Sequence, residues 1–369
     1  MSTRTRRLAL FSALAAVLLA VSATAGIGWY FSGVATEVSH TSDYDLTVRA
    51  SAPGTVTLPR TATTARPGTW GLSWPGGHAV LGAVTATARD SVTRAVASGT
   101  PPAPGTRATI DHWVWSGSGP DALGLSYTAV TYPTENGAMP AWYLPAAGRT
   151  WVVAVHGHNA DKAETMRAMR TVHAAGLPML SIAYRNDEGA PASPDGKNHL
   201  GDTEWHDVRA AVAYARAHGA TGVVLYGWSM GGAMALRTLR AEPSLVRGVV
   251  LDSPVMDWDA TLDKQAAARG LPSFVTAVAE RTLEWRIGIS LREWDQTRYA
   301  SSLKVPVLLY TATEDGTVDN RPALEFARRA PAGLVTHLAA RADHTEAWNV
   351  DPAVYERALA SFLSRVAPA

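Results

Sequence analysis

Three residues of this chain have the types that acyl-transfer chemistry needs: Ser229, Asp315 and His344. A serine hydroxyl is a weak nucleophile, so a base must take its proton as it attacks. Histidine suits that task because imidazole ordinarily titrates near neutral pH. A carboxylate on the other ring nitrogen fixes the tautomer and stabilises the imidazolium that forms. Ser229 stands in Gly227-Trp228-Ser229-Met230-Gly231, a G-x-S-x-G pentapeptide. The apolar run Val223 to Tyr226 precedes it and a helix-like run, Gly232 to Arg237, follows. Between a strand and a helix, such a turn holds its serine at the strand tip with the hydroxyl exposed. The flanking glycines are expected, since side chains there would collide with the two elements that meet.

The surrounding elements decide whether the three residues can meet. From Trp151 onward, short apolar runs alternate with helical ones. Strands are predicted at 152–155, 177–183, 223–226, 248–251, 305–310 and 334–338. Helices are predicted at 161–175, 202–218, 232–240, 322–329 and 351–366. Fully apolar short strands alternating with helices imply a doubly wound, mostly parallel sheet buried on both faces. Ligand sites in such sheets lie beyond the C-terminal ends of the strands. Ser229, Asp315 and His344 each follow a predicted strand, so all three fall at one sheet edge in the order serine, acid, histidine. An oxyanion would need two N–H donors. The Met230 amide, just after the serine, is one candidate. The loop after Val155, His156-Gly157-His158-Asn159, should supply the other, assigned here to the His158 amide.

Residues 32–126 read as a β-rich extension, with strands at Thr55–Leu58 and His112–Trp115. Two further runs, Ser126 to Tyr132 and Met139 to Leu144, flank Glu135-Asn136-Gly137 and read as a hairpin. Trp70, Trp74, Trp113 and Trp115 read as core packing of this extension. Residues 253–304 are too long for a bare loop and read as a helical cap inserted over the strand ends. Its aromatics, Trp258, Phe274, Trp285 and Trp294, read as packing between cap and core rather than as a substrate wall. Arg185 follows a strand, and either borders the mouth of the site or forms a structural salt bridge. His156 and His158 with Asp161 lack metal-site spacing and read as shaping the oxyanion loop.

The chain has 369 residues, 47% hydrophobic and 18% charged, enough for a sizeable core. A net charge of +1 suggests no nucleic-acid partner. The absence of cysteine excludes disulfides, thiolate metal sites and a cysteine nucleophile. Arg4, Arg6 and Arg7 precede an uncharged, mostly apolar run from Leu8 to Phe31. About 20 such residues span a bilayer as a helix. The basic flank predicts an N-terminus in the cytoplasm and a single-pass cell-membrane protein whose catalytic domain lies on the extracytoplasmic side. Trp29 and Tyr30 suit the membrane interface, whereas Ala23-Thr24-Ala25 leaves a cleaved signal and a secreted protein as the alternative. The domain division is therefore 1–31 anchor or signal, 32–126 extension and 127–369 core with the cap inside it.

Over about Tyr127 to Phe362 the sequence resembles the α/β-hydrolase superfamily. The nearer likeness is to bacterial serine hydrolases of its prolyl-oligopeptidase-like and depalmitoylase-like branch. The resemblance rests on His156-Gly157, Tyr184-Arg185-Asn186-Asp187, Gly227 to Gly231, Leu251-Asp252-Ser253-Pro254, Asp315-Gly316-Thr317-Val318, and His344 with Trp348-Asn349. Where the family often has proline after the valine of the acid loop, this chain has Asp319. The resemblance implies Ser229 as nucleophile, Asp315 as acid, His344 as base and the His158 and Met230 amides as oxyanion hole. It implies hydrolysis of an ester, thioester or amide without a cofactor. A carboxylesterase acting on a small or lipid-like acyl ester is the expectation. An amidase, peptidase or acyltransferase with the same triad is the alternative, as is an inactive surface-anchored binding homologue.

Overall fold

The computed structural model describes residues 3–41 and 43–367. Helix α1 (Thr3–Thr36) carries the apolar N-terminal run and continues past Phe31. Leu10, Phe11, Leu14, Leu18 and Leu19 along it are exposed. Among the described residues it is the one helix long and apolar enough to cross a membrane.

A seven-stranded antiparallel sheet follows: β1 (Leu46–Thr47), β2 (Ala50–Ala52), β3 (Thr55–Pro59), β4 (Trp70–Trp74), β5 (Gly77–Thr87), β6 (Ser91–Ser98) and β7 (Arg107–Asp111), in the order β1-β7-β4-β5-β6-β3-β2. Alternating residues such as Val56, Leu58, Trp70 and Leu72 bury one face as its core. Arg94 lies buried in this sheet. Its guanidinium donates to the carbonyls of Thr64, Arg66, Gly68 and Gly82. Burial pushes its pKa down to about 10, still far above neutral, so the charge persists and gathers segment 64–68 against β6. The strand expected at His112–Trp115 is not formed. The Asp111 carboxylate accepts the Val114 N–H at 2.9 Å, and Val114 turns to φ 73°. A side chain has captured the backbone that a ladder would have used.

The second sheet has eight strands: β8 (Thr128–Thr134), β9 (Gly137–Leu144), β10 (Thr150–Val155), β11 (Met179–Ile182), β12 (Gly222–Trp228), β13 (Val246–Asp252), β14 (Val307–Ala312) and β15 (Val335–Ala340). Its order is β15-β14-β13-β12-β10-β11-β9-β8. The hairpin β8–β9 pairs antiparallel around the Asn-Gly turn, β9 joins β11 antiparallel, and the remaining pairs are parallel. Helices α2 (Met166–Ala174), α3 (Trp205–Ala217), α4 (Met230–Ala241), α7 (Asn320–Arg329), the short α8 (Ala347–Val350) and α9 (Pro352–Val366) cover its two faces. The first turn of the helix expected at 161–175 is a 3-10 turn capped by the Asp161 side chain. The cap stands between β13 and β14, with α5 (Trp258–Ala268), α6 (Ser273–Ile287) and two 3-10 turns. Trp258 and Trp294 join cap to core by donating to the Leu200 carbonyl at 3.0 Å and Asp202 at 2.9 Å. The expectation that all four cap aromatics pack inward fails for Phe274 and Trp285, which are 62% and 76% exposed on α6.

The two sheets meet at Asn349. Its amide donates to the carbonyls of Thr69 and His112, and its own carbonyl accepts the Thr69 N–H. Arg66 pairs with Glu346 and lies 3.6 Å from Asp343. The extension thus grips the loop that carries His344.

Candidate active site

All seven residues of β12 are buried, as a central parallel strand requires. At its end Ser229 adopts φ 51° and ψ −119°, a strained conformation for a residue with a side chain. Three backbone hydrogen bonds hold it there. Ser229 N–H donates to the Asp252 carbonyl at 2.9 Å, and the Ser229 carbonyl accepts from Gly232 and Val255 at 3.0 and 3.1 Å. A Cβ on Gly227 would drive into the Gly231 backbone, and one on Gly231 into the Val155 carbonyl. Only glycine lets strand and helix close this turn. Below it lies a buried polar network in which Tyr355 donates to Asp252 at 2.8 Å and contacts the Tyr226 hydroxyl.

The structure brings the three chemistry-bearing side chains into one hydrogen-bonded series. Ser229 Oγ lies 2.8 Å from His344 Nε2, and His344 Nδ1 lies 2.9 Å from Asp315 Oδ2. The other Asp315 oxygen accepts the N–H groups of Thr317 and Val318 at 2.8 and 2.7 Å. The Asp315 side chain is wholly buried, whereas that of His344 keeps 16% exposure. The cap secures the acid loop. Lys264 of α5 donates to the Asp315 and Val318 carbonyls, and Gln265 to those of Gly316 and Thr317. Neighbouring carboxylates are engaged elsewhere. Asp319 and Asp257 cap α7 and α5, and Glu314 pairs with Arg341.

The loop 156–159 faces the serine. His156 is buried, with Nε2 2.7 Å from Asp187 and Nδ1 2.9 Å from the Gly157 carbonyl. Burial works against its charged form, but Asp187 outweighs that and raises its pKa. Gly157 N–H is already spent on Glu164 at 2.7 Å. The amides of His158 and Met230 donate to no protein acceptor among the described residues. The His158 ring lines the same cavity as Ser229; burial lowers its pKa to about 4, which keeps it neutral. That cavity, about 400 Å³, is lined by Ser229 and His344 and walled mainly by apolar residues. A larger hollow of about 590 Å³ lies between the sheets near Arg66 and Leu338 and contains none of the three residues. Arg185 does not border the mouth. It forms a buried two-pronged pair with Asp207 and reaches Glu135. Among the described residues no three His, Asp or Glu side chains gather as a metal site.

Residues 187–346, a stretch containing Ser229, Asp315 and His344, match the model of the prolyl oligopeptidase family. The chain has the α/β-hydrolase fold. Residues 47–111 match a domain of unknown function (DUF8805). Similar solved structures include the esterase Pf2001 of Pyrococcus furiosus, at 20% identity and a TM-score of 0.57, covering 69% of this chain and 98% of that one. An α/β hydrolase of Vibrio vulnificus is similar at 21% identity and a TM-score of 0.50, covering 65% of this chain and 82% of that one. At such identities the likeness is one of fold.

Several supporting residues of the hydrolase domain escaped the sequence reading. Glu164 receives Gly157 N–H and sits beside Arg167. Burial opposes its ionisation, yet His112 and Arg167 hold its pKa down to about 2. Arg167 in turn donates to Asn349 at 3.0 Å and to the Thr345 carbonyl. A Glu and an Arg three apart on a helix read as a surface pair; only the fold reveals that this pair is buried between two active-site loops.

Proposed function

We propose that the chain is a membrane-anchored serine hydrolase that cleaves an acyl ester through a covalent acyl-enzyme on Ser229. The observation that carries this reading is the unbroken series from Ser229 Oγ through His344 to Asp315, with Ser229 and His344 lining an apolar cavity. Ser229 Oγ attacks the carbonyl carbon while His344 Nε2 takes its proton, and Asp315 stabilises the imidazolium. The developing oxyanion is received by the Met230 and His158 amides. His344 then protonates the leaving alcohol. Water, deprotonated by His344, attacks the acyl carbonyl, releases the carboxylic acid and restores Ser229. Arg4, Arg6 and Arg7, ahead of the apolar run in α1, support an orientation with the rest of the chain outside the cytoplasm.

The matched family's description favours a peptide bond as the second reading. The apolar cavity favours an acyl chain. The test compares p-nitrophenyl acyl esters with proline-containing peptide p-nitroanilides on the wild type and Ser229→Ala. Ester turnover lost in the variant is expected. Turnover of the peptides alone would transfer the assignment to the second reading, and turnover surviving Ser229→Ala would end both.

A further inference from the structure

The cavity at Ser229 is not built from the hydrolase domain alone. Phe31, Val34 and Ala35 of α1 line it together with Leu262 of α5 and Val275 and Leu283 of α6. The helix that is long enough to cross a membrane therefore ends as part of the substrate site. Its contact with α6 is close. A Cβ on Gly28 would come within 3.2 Å of the Thr282 hydroxyl and 3.3 Å of Val278. Arg286 of α6 donates to the Trp29 carbonyl and Ser32 hydroxyl, both at 3.2 Å, and its guanidinium covers the Trp29 ring at 4.4 Å. The far end of α1 is tied to the loop beside Ser229. Asn159 and Asn198 both donate to the Glu37 carbonyl at 3.0 Å, and Asn198 also reaches His158 Nε2 at 3.1 Å.

This geometry fixes the depth of the cavity. A hydrocarbon core of ~30 Å takes ~20 helical residues, so a span starting at Leu8 leaves the core near Ile27. Phe31 to Ala35 then lie ~6–12 Å beyond that edge, where a headgroup layer of ~5–7 Å ends. The flanking surface agrees. Trp29 and Tyr30 are 52% and 65% exposed, and Trp285 stands 6.4 Å from Trp29, ring to ring, so α6 presents an aromatic at the same level. Among the described residues outside α1, four large hydrophobics are exposed, and two of them, Phe274 and Trp285, are on α6. Aromatic residues favour this interfacial depth.

We infer that the substrate is a membrane-resident long-chain acyl ester, drawn from the bilayer with its chain lying between α1 and α6. The inference rests on the serine-hydrolase reading above. In it the N-terminal helix is a wall of the acyl site as well as an anchor, and the chain enters the cavity at the outer edge of the headgroup layer. Apolar walls from α1 and α6 limit the hydrocarbon the chain exposes to water on its way to Ser229.

The experiment uses the full chain reconstituted in diether phosphatidylcholine vesicles, which contain no ester of their own. p-Nitrophenyl palmitate is dissolved in the vesicles, and p-nitrophenyl butyrate is supplied in the water. At fixed bulk palmitate ester, adding empty vesicle lipid dilutes the ester at the surface, and the rate is expected to fall with its mole fraction. Ala35→Trp narrows the cavity and is expected to lower the palmitate-to-butyrate ratio of kcat/KM at least tenfold, with Phe31→Ala moving the ratio the other way. A rate that follows bulk concentration, or a ratio unmoved by both substitutions, overturns the inference. Butyrate turnover reports separately on the triad. If it is present while palmitate in vesicles is untouched, the lipid inference fails alone, and if both are absent the serine-hydrolase reading fails with it.

Discussion

Asp315 uses its two oxygens differently. One faces His344 Nδ1 and the other accepts two backbone N–H groups. An amide cannot satisfy both sides, since its nitrogen must meet either a ring N–H or the two amides. Asp315→Asn is therefore expected to keep the fold and lower kcat on the order of ten-thousandfold, as loss of the correct tautomer does in such triads. Circular dichroism beside steady-state kinetics would check both halves. Glu280 is a carboxylate that lines the cavity at Ser229. Burial, with Asp259, Asp263 and Glu284 nearby, raises its pKa from 4.5 to about 7. The folded state thus binds a proton that the unfolded state has released, and stability drains away as pH rises from 4.5 to 7. Glu280→Gln removes that loss. Its melting temperature should exceed the wild type's at pH 8 and approach it at pH 4; an unchanged difference across that range would contradict the assignment.

Elements rather than single residues hold His344 in place. The loop from Asp343 to Glu346 is gripped by Arg66, from the segment between β3 and β4, and by Arg167 of α2, which also donates to Asn349 of α8. Misplacing a reacting group by about 1 Å costs on the order of a hundredfold. Arg66→Ala is expected to lower kcat about tenfold or more on short esters while KM stays within about twofold, because the cavity lies on the other side of the loop. A raised KM with unchanged kcat would show that the extension shapes binding instead. This role was not legible in the sequence. The abundance of Thr, Val, Gly and Pro marked the extension as strands and loops, but residues 64–68 carry no signal that a buried Arg94 would gather them towards Asn349. The strand expected at His112–Trp115 failed for a related reason. Its aromatics favour a strand, and one hydrogen bond from the Val114 N–H to the Asp111 carboxylate overrides that preference. The parallel sheet was legible because each of its strands is an apolar run bounded by turn residues. Ser229, Asp315 and His344 fell at one edge as a consequence of that pattern. Phe274 and Trp285 read as core by composition, and only the position of α6 beside α1 gives their exposure a purpose.

The whole molecule packs the end of an apolar helix against the α/β domain, with the Glu37 carbonyl hydrogen-bonded to Asn159 of the loop beside Ser229. The chain has no cysteine, so a single one introduced at the exposed Arg89 gives an unambiguous topology probe. It should react with a membrane-impermeant maleimide in intact cells if the domain lies outside, and only after lysis if it does not. The central claim is narrower: the hydroxyl of Ser229, and no other, is the nucleophile. The direct measurement is intact-mass and peptide mapping of the full chain after reaction with a fluorophosphonate, beside Ser229→Ala and His344→Ala. One adduct at Ser229 in the wild type, none in Ser229→Ala and a strongly slowed reaction in His344→Ala is the predicted result. An adduct that persists in Ser229→Ala, or a folded wild type that takes none, would contradict it.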